Sequence, residues 1–209
     1  MGRSGEEARR RLLDAAERGF AEQGIGGSSL RDIAAAAGQR NTSAPQYHFG
    51  DRSGLVAAVF ARRMGPINDR RRRIVAGRDG SEGAVDLADI VTALVVPLVE
   101  EVGRSPGWYG RFLERCYGEA GAAAVVARLP EAAPLRELQG LLVDRLAGLG
   151  PVVRRSRAEQ LQSHVVTSLA RWEWAGDRHE ERLAVDVLTD ELVATGTALL
   201  GARARRSPE

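Results

Sequence analysis

In this 209-residue chain, the residues best suited to chemistry lie between Gly38 and Gly50. Thr42, Ser43, Gln46, Tyr47 and His48 place hydroxyl, amide, phenol and imidazole groups on a stretch short enough to be one small helix. Small polar side chains of this kind enter a DNA major groove, about 12 Å wide, where a bulky apolar face would not, and Gln46 offers the donor and acceptor that adenine presents in reverse. The rest of the chain offers little to a catalyst. Glu100 and Glu101 are adjacent and diverge on a helix, and no nucleophile elbow, phosphate loop or metal-ligand spacing occurs. No enzyme activity, cofactor or metal is expected.

The elements around that stretch must present it. Ser4 with Glu7 fits a capping box, after which Leu13, Ala16 and Phe20 line one helical face up to Gly24. Ser29 with Asp32 opens a second helix whose inner face is Leu30, Ile33, Ala34 and Ala37, with Gly38 at its C-terminal end. Asn41 fits as the cap of a third helix reaching Phe49, with Pro45 in its first turn. Asp51 or Ser53 caps a fourth, carrying Leu55, Val56, Val59 and Phe60 and kinking or stopping near Gly65-Pro66. Two short helices joined by a tight turn after a glycine, flanked by supporting helices, make a helix-turn-helix.

Charge divides the chain in the same place. Residues 1–78 hold 15 arginines against 8 acids, and the remainder 15 against 20, within a net charge of +2. The basic half is the one to pair with nucleic acid. Every basic residue is Arg, a weak bacterial hint. Arg70–Arg73 spread around their helix, which suits a solvated or interdomain face more than a DNA contact. A loop at 77–83 leads to five further helices near 84–103, 107–127, 131–148, 156–175 and 180–203, separated by Pro106, Pro130, Gly150-Pro151 and Gly176-Asp177, with a frayed tail after Arg203. Cys116 stands alone, no secretory segment opens the chain, and the apolar run 90–99 is too short for a bilayer. A cytoplasmic protein is expected, bacterial and nucleoid-associated when on DNA. The expected fold is all-α, with a head over 1–52, a connector helix over about 53–77 and a C-terminal domain over 78–209.

The stretch from Leu12 to Phe60, with its LLDAA helix, Phe20, Glu22, Gly24, LRDIAAAAG helix and Tyr-His-Phe ending, closely resembles the DNA-binding domain of the tetracycline-repressor family. The resemblance implies a dimeric regulator, most often a repressor, that binds pseudo-palindromic operator DNA and releases it when a small-molecule effector enters the C-terminal domain. It implies phosphate contacts for Ser28 and Ser29, a phosphate or base contact for Arg31, base readout by Thr42, Ser43, Gln46, Tyr47 and His48, and a backbone contact for Arg52. Ten residues separate Gly38 from Phe49, one more than the common family pattern; the shift in register turns Arg40 or Asn41 toward the groove.

In the C-terminal half, Trp108, Tyr109, Phe112 and Tyr117 serve either a core or the wall of an apolar ligand pocket, which Leu94, Leu98, Leu113, Leu142, Val166 and Leu169 would complete. Leu161, Val165, Leu169 and Trp172 form one apolar stripe, and Leu188, Leu192, Thr195 and Leu199 another. By resemblance these two helices form a four-helix bundle with a second copy, although an intrachain core uses the same periodicity.

Overall fold

A computed structural model of the chain describes residues 3–78, 85–104 and 107–202. Its helices are α1 (Arg3–Gln23), α2 (Leu30–Ala36), α3 (Ala44–Phe49), α4 (Arg52–Arg78), α5 (Leu87–Arg104), α6 (Tyr109–Gly118), α7 (Ala120–Arg128), α8 (Ala133–Arg145), α9 (Pro151–Asp177) and α10 (Val185–Gly201), with a 3₁₀ turn at Pro130–Ala132. The fold is all-α, and no strand occurs among the described residues. Of the loop expected at 77–83, Gly77 and Arg78 belong to α4; its remaining residues, the break at Pro106 and the tail from Arg203 lie outside the described residues.

Local chemistry sets most boundaries. α1 buries Leu12, Leu13, Ala16 and Phe20 on one face and stops at Gly24, whose φ of +83° favours glycine. Its start corrects an expectation: Ser4 lies inside the helix, and Glu7 pairs with Arg11 one turn on instead of capping. α2 is capped as the sequence predicts, with Ser29 Oγ accepting from the Asp32 backbone N–H at 3.0 Å and donating to the Asp32 carboxylate at 2.6 Å. Gly38 closes it at φ +68°, and the Gln39 N–H reaches back to the Ala34 carbonyl.

Three other expectations change. α4 runs straight through Gly65-Pro66, both exposed, so water can meet the carbonyl of Arg62 that proline leaves without a donor. The helix expected over 107–127 breaks at Glu119, extended at φ −106° and ψ 111°, because its carboxylate is drawn out to cap backbone N–H groups of another loop. α9 begins early, at Pro151, where a missing N–H costs nothing.

The head and the C-terminal helices share one apolar core running from Leu12 to Leu200. α6 is the keystone. Phe112 lies 6.1 Å from Phe20 of α1 and 5.9 Å from Tyr109, nearly parallel to the latter. Glu173 of α9 accepts from the N–H groups of Gly110 (3.1 Å) and Arg111 (2.9 Å), capping α6 from within the core. A Cβ on Gly110 would meet Leu169 at 3.1 Å, so glycine is what lets α6 and α9 approach. An ion network reinforces the joint: buried Glu17 of α1 binds Arg62 and Arg63 of α4 at 2.7–2.9 Å, and Arg63 reaches Glu101 of α5 at 3.1 Å.

The apolar stripes of α9 and α10 are corrected in role. Leu161, Val165, Leu169, Leu188 and Leu192 are buried within the chain itself, because α10 packs on both α9 and α5. A Cβ on Gly196 would strike Leu161 at 2.8 Å. Thr195 stays exposed, with His164 Nε2 2.8 Å from its hydroxyl, while Leu199 and Trp172 are half-buried. The Trp172 indole donates to the Leu183 carbonyl at 2.7 Å and carries Arg182 over its ring.

Candidate nucleic-acid interface and internal cavity

α2 and α3 pack at the free end of α1 and α4, and α3 turns its polar side outward. Thr42, Ser43, Gln46 and Tyr47 are exposed, Tyr47 to 85%, and His48 is half-buried edge-on to Tyr47 with ring centroids 5.1 Å apart. Apart from that ring contact the Tyr47 phenol is open to solvent and accessible to a partner. Beneath them Phe49 anchors the helix, with the Arg9 guanidinium 5.1 Å from its ring centroid. Pro45 is buried, fixing the first turn.

Arg31, Arg40 and Arg52 are exposed around α3. Asn41 is exposed, but its role as helix cap is corrected: its Oδ1 accepts from the Ser43 N–H at 2.9 Å, an Asx turn. Ser43 itself precedes the helix. The extra residue in this segment is thereby taken up in the loop before α3. Ser28 is also corrected. It is 1% exposed and donates to the Gly24 carbonyl at 3.1 Å, so its hydroxyl is spent on the turn between α1 and α2 rather than held ready for phosphate. Ser29 is half-buried, with its hydroxyl committed to Asp32.

Two features of the joint were not anticipated from the sequence. Glu119, between α6 and α7, accepts from the backbone N–H of Ile25 (2.8 Å) and Gly26 (3.1 Å), gripping the turn that leads into α2. Arg111 is buried between the rings of Trp108 and Trp174, with centroids at 4.3 and 4.2 Å, and binds Asp177 at 2.6 Å. A glutamate just after Gly118 could have signalled the first only to a reader who knew which turn it faces.

A partly open cavity lies between α4, α5, α6, α8 and α9. Leu94, Leu98, Leu113, Tyr117, Leu142 and Val166 line it as expected, joined by Met64, Arg71, Gln139 and Gln162. Its open volume is about 40 Å³, room for a few waters. Trp108, Phe112 and Leu169 are not part of it: Phe112 faces Phe20 across the head joint, Trp108 covers Arg111, and Leu169 packs on Gly110. Burial pushes the Tyr117 phenol up to about 12 and holds the Cys116 thiol far above its ordinary range. Cys116 is a buried core residue. Among the described residues no cluster could hold a metal ion, and no helix is long and apolar enough to cross a membrane.

A short helix with a displayed polar face, set by a tight turn on two supporting helices, defines the class of helix-turn-helix DNA-binding proteins. Residues 12–59 match the sequence profile of bacterial regulatory proteins of the tetR family. No curated protein matches the chain significantly. Among solved structures it is similar to the fatty acid degradation regulator FadR of Bacillus halodurans, at 16% identity and a TM-score of 0.61, covering 94% of this chain and all of the other. It is also similar to FadR of Bacillus subtilis in complex with stearoyl-CoA, at 14% identity and 0.59, covering 91% and 98%. A third similar structure is a tetR-family regulator from Shewanella sp. PV-4, at 15% identity and 0.61, covering 92% and 95%. Over residues 12–59 the chain is thus similar to the DNA-binding domain of tetR-family transcriptional regulators, and over its length it shares the fold of these solved structures.

Proposed function

We propose that the chain is a homodimeric repressor that binds a pseudo-palindromic operator through α3 and leaves it when a small molecule occupies the cavity. In this reading residues 1–52 are the reading head, residues 53–77 the connector and residues 78–209 the sensing and dimerisation domain. The observation that carries it is the outward polar face of α3, with Tyr47 85% exposed on an otherwise well-packed head. Gln46 and Tyr47 would read base edges, with Thr42, Ser43 and His48 beside them. Arg31, Arg40 and Arg52 would meet phosphates, as would the backbone N–H groups at the start of α2.

Six residues of helix read too few base pairs for useful specificity, so two heads about 34 Å apart are needed. The second copy would dock on the outward sides of α9 and α10, near Thr195, Leu199 and Trp172. In this reading the protein works on operator DNA in the bacterial cytoplasm.

Release follows from differential affinity: an effector that prefers the form with badly spaced heads weakens DNA binding by that preference, typically about 1–3 kcal/mol. Two connections can carry it. α4 runs from the head at Arg52 to the cavity wall at Arg71, and Glu119 links the helices beside the cavity to the turn before α2. That the similar FadR structure holds stearoyl-CoA supports a ligand-binding role for this arrangement. Transcription of the adjacent genes, measured with this gene deleted, tests the sign: an increase is expected, and a decrease would make the chain an activator.

A further inference from the structure

Arg71 is the cavity residue whose charge the fold leaves unused. It continues the inward stripe Phe60, Met64, Ile67 of α4 and is 3% exposed. Its Nη1 donates to Asn68 Oδ1 at 3.1 Å and approaches the Met64 sulfur at 3.3 Å. Nε is buried without a partner, and Nη2 makes no hydrogen bond. No carboxylate pairs with it among the described residues, whereas buried Arg111 has Asp177 and Glu173, and Arg63 has Glu17 and Glu101. Burial pulls its pKa down to about 10, so the guanidinium is still charged at neutral pH. An uncompensated cation of this kind is costly to bury.

Its surroundings describe what would compensate it. Tyr117, Gln139 and Gln162 supply polar groups nearby, and the two glutamines bond each other at 2.6 Å across α8 and α9. The Tyr109 hydroxyl, close enough to Arg71 to feel its charge, is buried with no partner. The remaining wall is aliphatic. The free edge of Arg71, Nε with Nη2, is the pair of parallel N–H groups that receives both oxygens of a carboxylate. The open volume of about 40 Å³ is smaller than an alkyl chain of several carbons, so a slender chain, which needs the least widening of the leucine wall, suits it better than a fused-ring body.

We infer that Arg71 is the counter-charge for the head group of a slender organic carboxylate, whose apolar chain lies among Leu94, Leu98, Leu113 and Leu142. This rests on the reading of the cavity as the effector site and gives that effector a chemical class. Because Arg71 is part of α4, the carboxylate acts directly on the helix that carries the head.

The test titrates the full-length protein with decanoate, 1-decanol and decylamine below their micelle concentrations, by calorimetry and thermal melting. Decanoate should bind about 10- to 100-fold more tightly than decanol, the range expected for charge-assisted hydrogen bonds, and decylamine least. Arg71→Met should abolish that preference while the free protein melts at the same or a higher temperature, since a buried unpaired charge has been replaced by an apolar chain of similar shape. Arg71→Lys should keep part of it. Equal affinity for decanoate and decanol overturns the inference, as does wild-type decanoate binding by Arg71→Met. An Arg71→Met chain that melts earlier or fails to fold also overturns it, because the guanidinium would then be holding the fold. Operator binding by the ligand-free protein is scored separately: if it persists without a carboxylate preference, the inference fails and the regulator reading stands, and if it is absent, the regulator reading fails.

Discussion

The head and the cavity solve opposite problems with the same kind of side chain. On α3 polar groups point outward on a helix of six residues, the arrangement that suits a long, stiff polyanion met by a convex surface reaching into its groove. In the cavity Arg71 is buried and Tyr117, Gln139 and Gln162 are half-buried, the arrangement that suits a small molecule recognised by being surrounded. Exposure makes the head's polar residues cheap to keep and to replace, and burial makes Arg71 expensive in the absence of a partner. Between the two, the fold invests in rigidity. Phe20 against Phe112, Glu17 through Arg63 to Glu101, and Glu119 on the α1–α2 turn all cross from head to body.

That contrast can be broken or sharpened by substitution. The largest effect should come from Phe112→Ala, which empties the joint: a loss of about 3–5 kcal/mol in denaturant unfolding, whereas a shared core that is only apparent would give a second, independent transition for the head. Tyr47→Ala should leave unfolding unchanged and weaken operator binding by about 1–3 kcal/mol in fluorescence anisotropy; a lowered melting temperature would mean that Tyr47 supports the head instead of displaying itself. Glu119→Ala should leave effector affinity nearly intact but change the effect of the effector on DNA affinity by about 0.5–2 kcal/mol, and an unaltered response would leave α4 as sole connection. The smallest effect is expected of Ser29→Ala, about 1 kcal/mol of stability from the lost α2 cap, measured by thermal melting.

The head was legible in the sequence because its parts are contiguous. The Ser29–Asp32 cap, Gly24, Gly38 and Gly50 fall where the turns demand them, and the residues facing outward sit within ten positions of one another. Its errors were of one sort: Ser28, Asn41 and the pair Ser4–Glu7 are polar residues whose nearest partner turned out to be the local backbone or a neighbour, a competition that spacing alone does not decide. The body was legible as helices and as apolar faces but not as assignments of face to neighbour. Leu161, Val165, Leu188 and Leu192 show the same period whether they meet α5 and α6 or a second chain, and Trp108 and Phe112 lie on the same helix as Leu113 and Tyr117 yet face a different layer. Arg71 was hidden by its setting in Arg70–Arg73, which reads as a solvated run. The signal that distinguishes it is its place four residues after Ile67 and seven after Met64, on the buried stripe of α4.

The central claim is that α3 reads duplex DNA twice per assembled particle. It is tested most directly by titrating the full-length protein into its upstream DNA, intact and with one half-site scrambled, and measuring affinity and stoichiometry together for wild type and Tyr47→Ala. The account predicts two chains per intact duplex, a large loss of affinity on scrambling, and a smaller difference between the two duplexes for Tyr47→Ala. One chain per duplex, or equal affinity for intact and scrambled DNA, would contradict it.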